Sequence, residues 1–210
     1  MKHLLFDIDG TLVDTESAIL KTWDKTLRRY NFKFTPGELR VVLGTTTRVG
    51  LQSLYIDVDE NTFIDKWRHY YGLYAMEGQW FPGVEEMLKR CKASGVPLGC
   101  IASRSREEYI NYFEPLGFND YFDVSLTASD VTRTKPDPEA ILTYIERTGA
   151  DPADVMYIGE SVIDVEFARA AGVQSGFASW THSNLYGEMR ADAIFYTPED
   201  ILRSVLGEEP

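Results

Sequence analysis

Two aspartates one residue apart, Asp7 and Asp9, follow the apolar run Leu4-Leu5-Phe6 and precede Gly10-Thr11. In an extended strand the side chains alternate faces. Both carboxylates therefore point to the same side at the strand's carboxyl end, where a glycine lets the chain turn. Two carboxylates forced together repel unless a cation or a shared proton relieves them. The pattern points to a metal site or to an acid/base pair. The plainer reading is a turn, because Asp and Gly both form turns. The fixed Asp-x-Asp-Gly-Thr pattern right after an apolar strand is much rarer than a lone Asp-x-Asp, and it favours chemistry.

The elements that must position these residues follow from periodicity. Ala18, Ile19, Trp23, Leu27 and Tyr30 recur at helical spacing from Thr15 to about Asn31. Further helices are expected over Pro36 to Leu43, about Arg48 to Ile56, and Glu60 to Ala75. The last carries Phe63, Trp67, Tyr70, Tyr71 and Tyr74, an aromatic stripe better read as helix-packing surface than as a ligand box. Phe81-Pro82-Gly83 then punctuates the chain. Beyond it, apolar strands at Pro97 to Ala102, Val124 to Thr127, Val155 to Gly159, Gly176 to Ala178 and Ala193 to Tyr196 alternate with helices. Those helices are expected at Val84 to Ala93, Arg106 to Leu116, Pro138 to Thr148, Ile163 to Ala171 and Pro198 to Leu206. Alternation of this kind implies an α/β fold, a doubly wound parallel sheet covered on both faces. A helical block, 15–80, interrupts a core made of 1–14 and 81–210. In such sheets ligands bind outside the carboxyl ends of the strands, where Asp7, Ser103 and Glu160 fall.

Composition narrows the partners. The 210 residues are 44% hydrophobic, enough to bury the core of one large domain or of one domain with a small insert. The net charge of −12 argues against nucleic acid and anionic membrane. Any anionic ligand would need local positive charge, from a metal ion and a few Lys or Arg. Cys91 and Cys100 are the two cysteines, expected as buried, reduced thiols. No apolar run approaches the roughly 18 residues needed to span a bilayer, and no signal-like N-terminus is present. A soluble cytoplasmic protein, monomer or homodimer, is the expectation. His69 and His182 lack metal-ligand spacing and read as surface or structural. Glu208-Glu209-Pro210 reads as a frayed tail.

The stretch Asp7-Ile8-Asp9-Gly10-Thr11-Leu12-Val13-Asp14-Thr15 resembles, residue for residue, the first motif of the haloacid dehalogenase-like superfamily of phosphohydrolases. The resemblance spans essentially the whole chain and implies a helical cap inserted between the first and second motifs. It implies Asp7 as the nucleophile that takes the phosphoryl group, and Asp9 as general acid/base with its backbone carbonyl on Mg²⁺. These residue types suit the roles: a carboxylate can form an acyl phosphate, and a second can protonate the leaving oxygen and then deprotonate water.

Three more constellations match that family. The second motif, a Ser or Thr ending the second core strand, falls at Ile101-Ala102-Ser103-Arg104, with Ser103 the best match and Ala102 the alternative one residue earlier. Ser105-Arg106-Glu107-Glu108 also resembles a helix capping box, so these serines could simply begin a helix. The third is Lys135 in Lys135-Pro136-Asp137-Pro138, suited to neutralising Asp7 and an incoming phosphate. The fourth is the acidic pair of Gly159-Glu160-Ser161-Val162-Ile163-Asp164. The family usually has Asp where Glu160 stands, which leaves open whether Glu160 or Asp164 touches the metal. Helix N-terminal acids favoured by the dipole are the plainer reading of the pair.

The resemblance thus implies Mg²⁺ as cofactor, with Asp7, Asp9, Glu160 and Asp164 around it. It implies Ser103 and Lys135 at the phosphate, where Thr11 is also expected; Arg104, beside Ser103, could bind the phosphate or the rest of the substrate. The cap loop Leu43-Gly44-Thr45-Thr46-Thr47-Arg48 would set specificity through Thr45, Thr47 and Arg48, although a solvated loop fits it nearly as well. The expected activity is that of a phosphatase of a small phosphorylated metabolite, phosphoglycolate-like or a sugar phosphate. Alternatives are a sugar-phosphate mutase of the same family and a non-catalytic regulatory binding module. Mutase relatives carry a cap histidine shortly after the first motif, where this chain has an apolar helix face around Ile19. Dehalogenase relatives lack the second aspartate that Asp9 supplies.

Overall fold

The computed structural model describes residues 2–43, 45–181 and 190–207. Gly44, His182 and the Glu208-Glu209-Pro210 tail, for which the sequence carried expectations, lie outside the described residues. The first strand, β1 (His3–Phe6), is short, and its Leu4, Leu5 and Phe6 are all fully buried. Burial on both faces is what a central parallel strand requires, and it explains an unbroken apolar run rather than an alternating one.

The chain leaves this unit at β2 (Val13–Asp14) and returns at β3 (Gln79–Trp80). The strands β4 (Leu98–Ile101), β5 (Val124–Leu126), β6 (Val155–Gly159), β7 (Gln174–Ala178) and β8 (Ala193–Phe195) complete the sheet. The order is β5-β4-β1-β6-β7-β8, and all the neighbouring pairs are parallel. Phe6 lies in register with Cys100 on one side and Ile158 on the other. The doubly wound α/β architecture expected from the sequence is present.

Alternation along β1 separates two cores. Leu4, Phe6 and Ile8 enter one cluster with Val84, Leu88, Phe118 and Ile201. Leu5 enters the other with Ile101, Tyr144, Tyr157 and Phe167. Each fully buried Leu or Phe contributes about 1.5–3 kcal/mol relative to exposure. Both cysteines are free and buried, Cys91 in the helix Val84–Ala93 and Cys100 in β4.

The chain forms two compact units, one of Met1–Val13 with Trp80–Pro210 and the other of Asp14–Gln79. The second unit is helical: α1 (Glu16–Arg28), α2 (Pro36–Leu39), α3 (Thr47–Ser53) and α4 (Glu60–Tyr71). Its core joins Trp23, Leu27, Leu39, Leu51 and Phe63. The aromatic stripe of α4 is packing surface: Phe63 meets Trp23 at 4.9 Å between ring centroids, and Trp67 stacks on Tyr71 at 4.9 Å. Among the described residues no helix is long and apolar enough to cross a membrane.

The helices of the first unit are α5 (Val84–Ala93), α6 (Arg106–Tyr112), α7 (Phe118–Tyr121), α8 (Glu139–Thr148), α9 (Val162–Ala170) and α10 (Pro198–Leu206). Two of their N-termini matter for the site. Ser105 and Glu108 form a reciprocal capping box on α6, and Ser161 and Asp164 form one on α9. The capping reading of Ser105 therefore holds.

Candidate active site

The site is built at the carboxyl ends of β1, β4 and β6. Asp7 follows directly on β1, and its backbone N–H donates to the Ile158 carbonyl at 2.9 Å. Its side chain is only 14% exposed. The Lys135 ammonium, 8% exposed, donates to Asp7 Oδ1 at 2.7 Å and to Asp164 Oδ1 at 3.1 Å. One lysine thus joins two carboxylates from distant parts of the chain. The Tyr157 ring lies 5.0 Å from that ammonium, and its hydroxyl donates to Asp164 Oδ1 at 3.2 Å.

The electrostatics follow from this enclosure. Burial pushes the Asp7 carboxyl up, Lys135 pulls it back, and the Asp164 and Asp9 charges add to the rise, leaving it at about 7. Burial alone would depress the Lys135 ammonium. Asp164 and Asp7 outweigh it and hold the group above the ordinary lysine value. Burial raises the Tyr157 hydroxyl well above its usual range, so it stays a neutral donor. Two carboxyl groups, Asp7 and Asp164, thus share one lysine.

Asp164, the second acid of the Glu160/Asp164 pair, is turned inward. Its Oδ1 accepts from Lys135 and Tyr157, while its Oδ2 accepts from the Ser161 hydroxyl at 2.7 Å and the Ser161 N–H at 3.1 Å. A Cβ on Gly159 would overlap this carboxyl group, so the bare backbone lets Asp164 fold against the strand end. Glu160 takes another direction. Its carboxyl covers Gly10, where a Cβ would lie 2.6 Å from Oε1, and Thr181 Oγ1 donates to its Oε2 at 3.3 Å. Gly10 itself has φ +76°, the left-handed conformation that glycine adopts without strain.

Asp9 has its own cation. Arg104 Nε donates to Asp9 Oδ2 and Arg104 Nη2 to Asp9 Oδ1, both at 3.0 Å. The repulsion between Asp7 and Asp9 is thus eased by two separate basic side chains. Arg104 is expected from the sequence at the phosphate or the rest of the substrate; in the structure its guanidinium is engaged by Asp9. Ser103, read as the hydroxyl of the second motif, is exposed beyond β4, while Ala102 is buried at the strand end and donates its N–H to the Leu126 carbonyl at 2.9 Å. A one-residue shift exchanges the two faces of a strand end, which is why the sequence left both positions open. Thr11 is fully buried and its hydroxyl has no hydrogen-bond partner among the described residues, while its carbonyl accepts from Trp180 Nε1 at 3.0 Å.

Sequence reasoning missed Tyr157, Trp180, Thr181 and Glu108 as parts of this site. Trp180 and Thr181 follow β7, so the rule that sites lie at strand carboxyl ends would have found them. Thr45, Thr47 and Arg48 belong to the other unit. There the Thr45 hydroxyl donates to the Val42 carbonyl at 2.9 Å, Thr47 begins α3, and Arg48 Nε pairs with Glu60 at 2.8 Å.

The oxygen-only donors around Asp7 suit a hard cation. Among the described residues no three His, Cys, Asp or Glu side chains form a ready-made metal cage. Mg²⁺ does not need one, because it keeps several waters and commonly uses one or two carboxylates.

Comparison with known proteins supplies the context for this arrangement. Residues 4–178 match the family model described as haloacid dehalogenase-like hydrolase. The phosphoglycolate phosphatase of Escherichia coli K12 is 28% identical over 233 residues, covering 96% of this chain and 91% of that protein. The pyrophosphatase PpaX of Oceanobacillus iheyensis is 26% identical over 211 residues, covering 98% and 97%. A Lactobacillus plantarum crystal structure, provisionally designated a phosphoglycolate phosphatase, superposes with a TM-score of 0.90 at 26% identity, covering 97% of this chain and 99% of that one.

Proposed function

The chain belongs to the haloacid dehalogenase-like hydrolase family, and on that premise we propose that it is a Mg²⁺-dependent phosphatase of a small phosphorylated metabolite, working through an aspartyl phosphate. Asp7 attacks phosphorus in line, and the bond from phosphorus to the leaving oxygen breaks as Asp9 gives that oxygen a proton. Water then attacks the aspartyl phosphate, Asp9 takes its proton, and inorganic phosphate leaves Asp7. Lys135 and Ser103 meet the equatorial oxygens, where charge gathers in the transition state. Asp7, the Asp9 carbonyl and Glu160 would hold the metal ion, whose charge would offset that of Asp7 and the phosphoryl group. Asp164 serves Lys135 rather than the metal, since both its oxygens are engaged by protein donors.

The observation that carries this reading is the buried Asp7 carboxyl held at 2.7 Å by Lys135, a lysine that Asp164 also engages at 3.1 Å. The relatives named as phosphoglycolate phosphatase and pyrophosphatase support a small phosphorylated substrate. Phosphoglycolate is the first ester to test, ahead of sugar phosphates. Mutase activity is disfavoured by the absence of any histidine between Asp9 and His69.

The test is a screen of phosphoglycolate, sugar phosphates and pyrophosphate with Mg²⁺ or with chelator, comparing wild type with Asp7→Asn. Phosphate release from at least one substrate is expected, lost with chelator and in the variant. Folded, metal-supplied protein that releases phosphate from none of them would favour a non-catalytic binding module.

A further inference from the structure

We propose that Arg104 is the positioning residue for Asp9, fixing the direction of the carboxylate that serves the leaving group. This rests on the reading of Asp9 as general acid. The geometry is a two-pronged pair: Nε and Nη2 of Arg104 each donate to a different Asp9 oxygen at 3.0 Å. Such a fork fixes the plane of a carboxylate as well as its place, which a single ammonium does not. Both partners are enclosed, with side chains 10% and 19% exposed. Solvent competes little for either one.

Arg104 is itself built in. Its carbonyl accepts from the Ala128 N–H at 2.8 Å, tying the residue to the segment after β5. The next residue, Ser105, caps α6. On the same helix, Glu108 Oε2 accepts from the Ser105 N–H and hydroxyl at 2.9 and 2.8 Å, while Glu108 Oε1 lies 3.7 Å from Arg104 Nη1. A cap, a carboxylate and a guanidinium thus lead from a helix end to Asp9. A basic side chain meant only to greet a phosphate would not need both of its prongs on the general acid.

When one Asp9 oxygen carries a proton to the leaving oxygen, the other still accepts from Arg104. In that state one prong of Arg104 keeps its direction. The role concerns the leaving group, so it is visible in how a defect depends on that group. An alkyl alkoxide needs the proton, whereas p-nitrophenolate departs without it. The ratio kcat/KM reports formation of the aspartyl phosphate and excludes its later hydrolysis.

The experiment compares kcat/KM for phosphoglycolate and p-nitrophenyl phosphate in wild type, Asp9→Asn, Arg104→Gln and Arg104→Lys. Asp9→Asn is expected to lose at least about tenfold more on the alkyl ester than on the aryl ester. Arg104→Gln is expected to reproduce that selectivity at about tenfold. Arg104→Lys, which keeps the charge without the fork, shows the same bias at smaller size, and it carries the test if the Gln variant does not fold. Equal losses on both esters, or full rescue by Lys, would overturn the proposal, since a phosphate contact or a general charge effect would then explain Arg104. An unbiased Asp9→Asn would instead remove the general acid role, and the proposed mechanism with it.

Discussion

Replacing Asp164 with alanine tests the buried triad by its energetics. The substitution removes the acceptor of four hydrogen bonds, from Lys135, Tyr157 and Ser161, with the last giving two. The Tyr157 hydroxyl, in a residue 1% exposed, is left without its acceptor, which costs about 1–3 kcal/mol. Lys135 keeps Asp7 and loses one charge-assisted bond, at about 1.5–3 kcal/mol. Half of the α9 capping box goes, although the Ser161 hydroxyl still accepts from the N–H of residue 164 at 3.3 Å. Relief of repulsion between Asp7 and Asp164 returns part of this. A net loss of about 3–5 kcal/mol follows, the range for breaking a buried ion pair. Asp164→Asn keeps the shape and one acceptor oxygen, while its amide NH₂ faces donors of which the Ser161 hydroxyl can turn to accept, so a smaller loss than for alanine follows, at about 1–2 kcal/mol. Urea denaturation followed by circular dichroism measures both, and a shifted midpoint at unchanged slope marks a change in stability. A loss below about 1 kcal/mol for alanine would refute the reasoning. So would equal losses for alanine and asparagine.

Other predictions draw on the same geometry. Gly10→Ala places a Cβ 2.6 Å from Glu160 Oε1 at φ +76°, so stability should fall by about 1–2 kcal/mol from the backbone alone and the Mg²⁺ requirement should rise; a denaturation curve and a Mg²⁺ titration of activity check both, and an unchanged protein contradicts the packing described. Glu160→Gln should raise the Mg²⁺ requirement more than Asp164→Asn does; the reverse order would make Asp164 the ligand. Burial raises the Cys100 thiol from 9.0 to about 12 and the Tyr144 hydroxyl from 10.0 to about 12. Above pH 9 the unfolded chain therefore binds fewer protons than the folded one. Stability is fully present below pH 9 and falls as pH rises towards 12, by up to about 1.4 kcal/mol per pH unit for each group. Urea midpoints that stay constant from about pH 8 to about pH 11 would contradict this.

Much of the fold is legible because parallel strands buried on both faces read as apolar runs, as Leu4-Leu5-Phe6 and Val155-Met156-Tyr157-Ile158 do. The sheet order cannot be read that way, but the placement of chemistry at strand ends can, and it points to Asp7, Ser103 and Glu160, whereas Lys135 and Asp164 come into view only through the family resemblance. Short elements were invisible: β2 and β3 have two residues each and α7 has four, too few to show a period. Side-chain direction was also invisible. Arg104 reaches Asp9 only because the turn after β4 aims it there, and Asp164 folds inward only because Gly159 leaves room. Ser103 and Ala102 differ by one residue, and only tertiary packing decides which is buried.

The most direct measurement of the central claim is a rapid acid quench of the enzyme turning over ³²P-labelled phosphoglycolate with Mg²⁺. The account predicts a hydroxylamine-labile label on the peptide that carries Asp7, absent from Asp7→Asn. Phosphate release by Asp7→Asn at the wild-type rate, or turnover with the label on another residue, would contradict it.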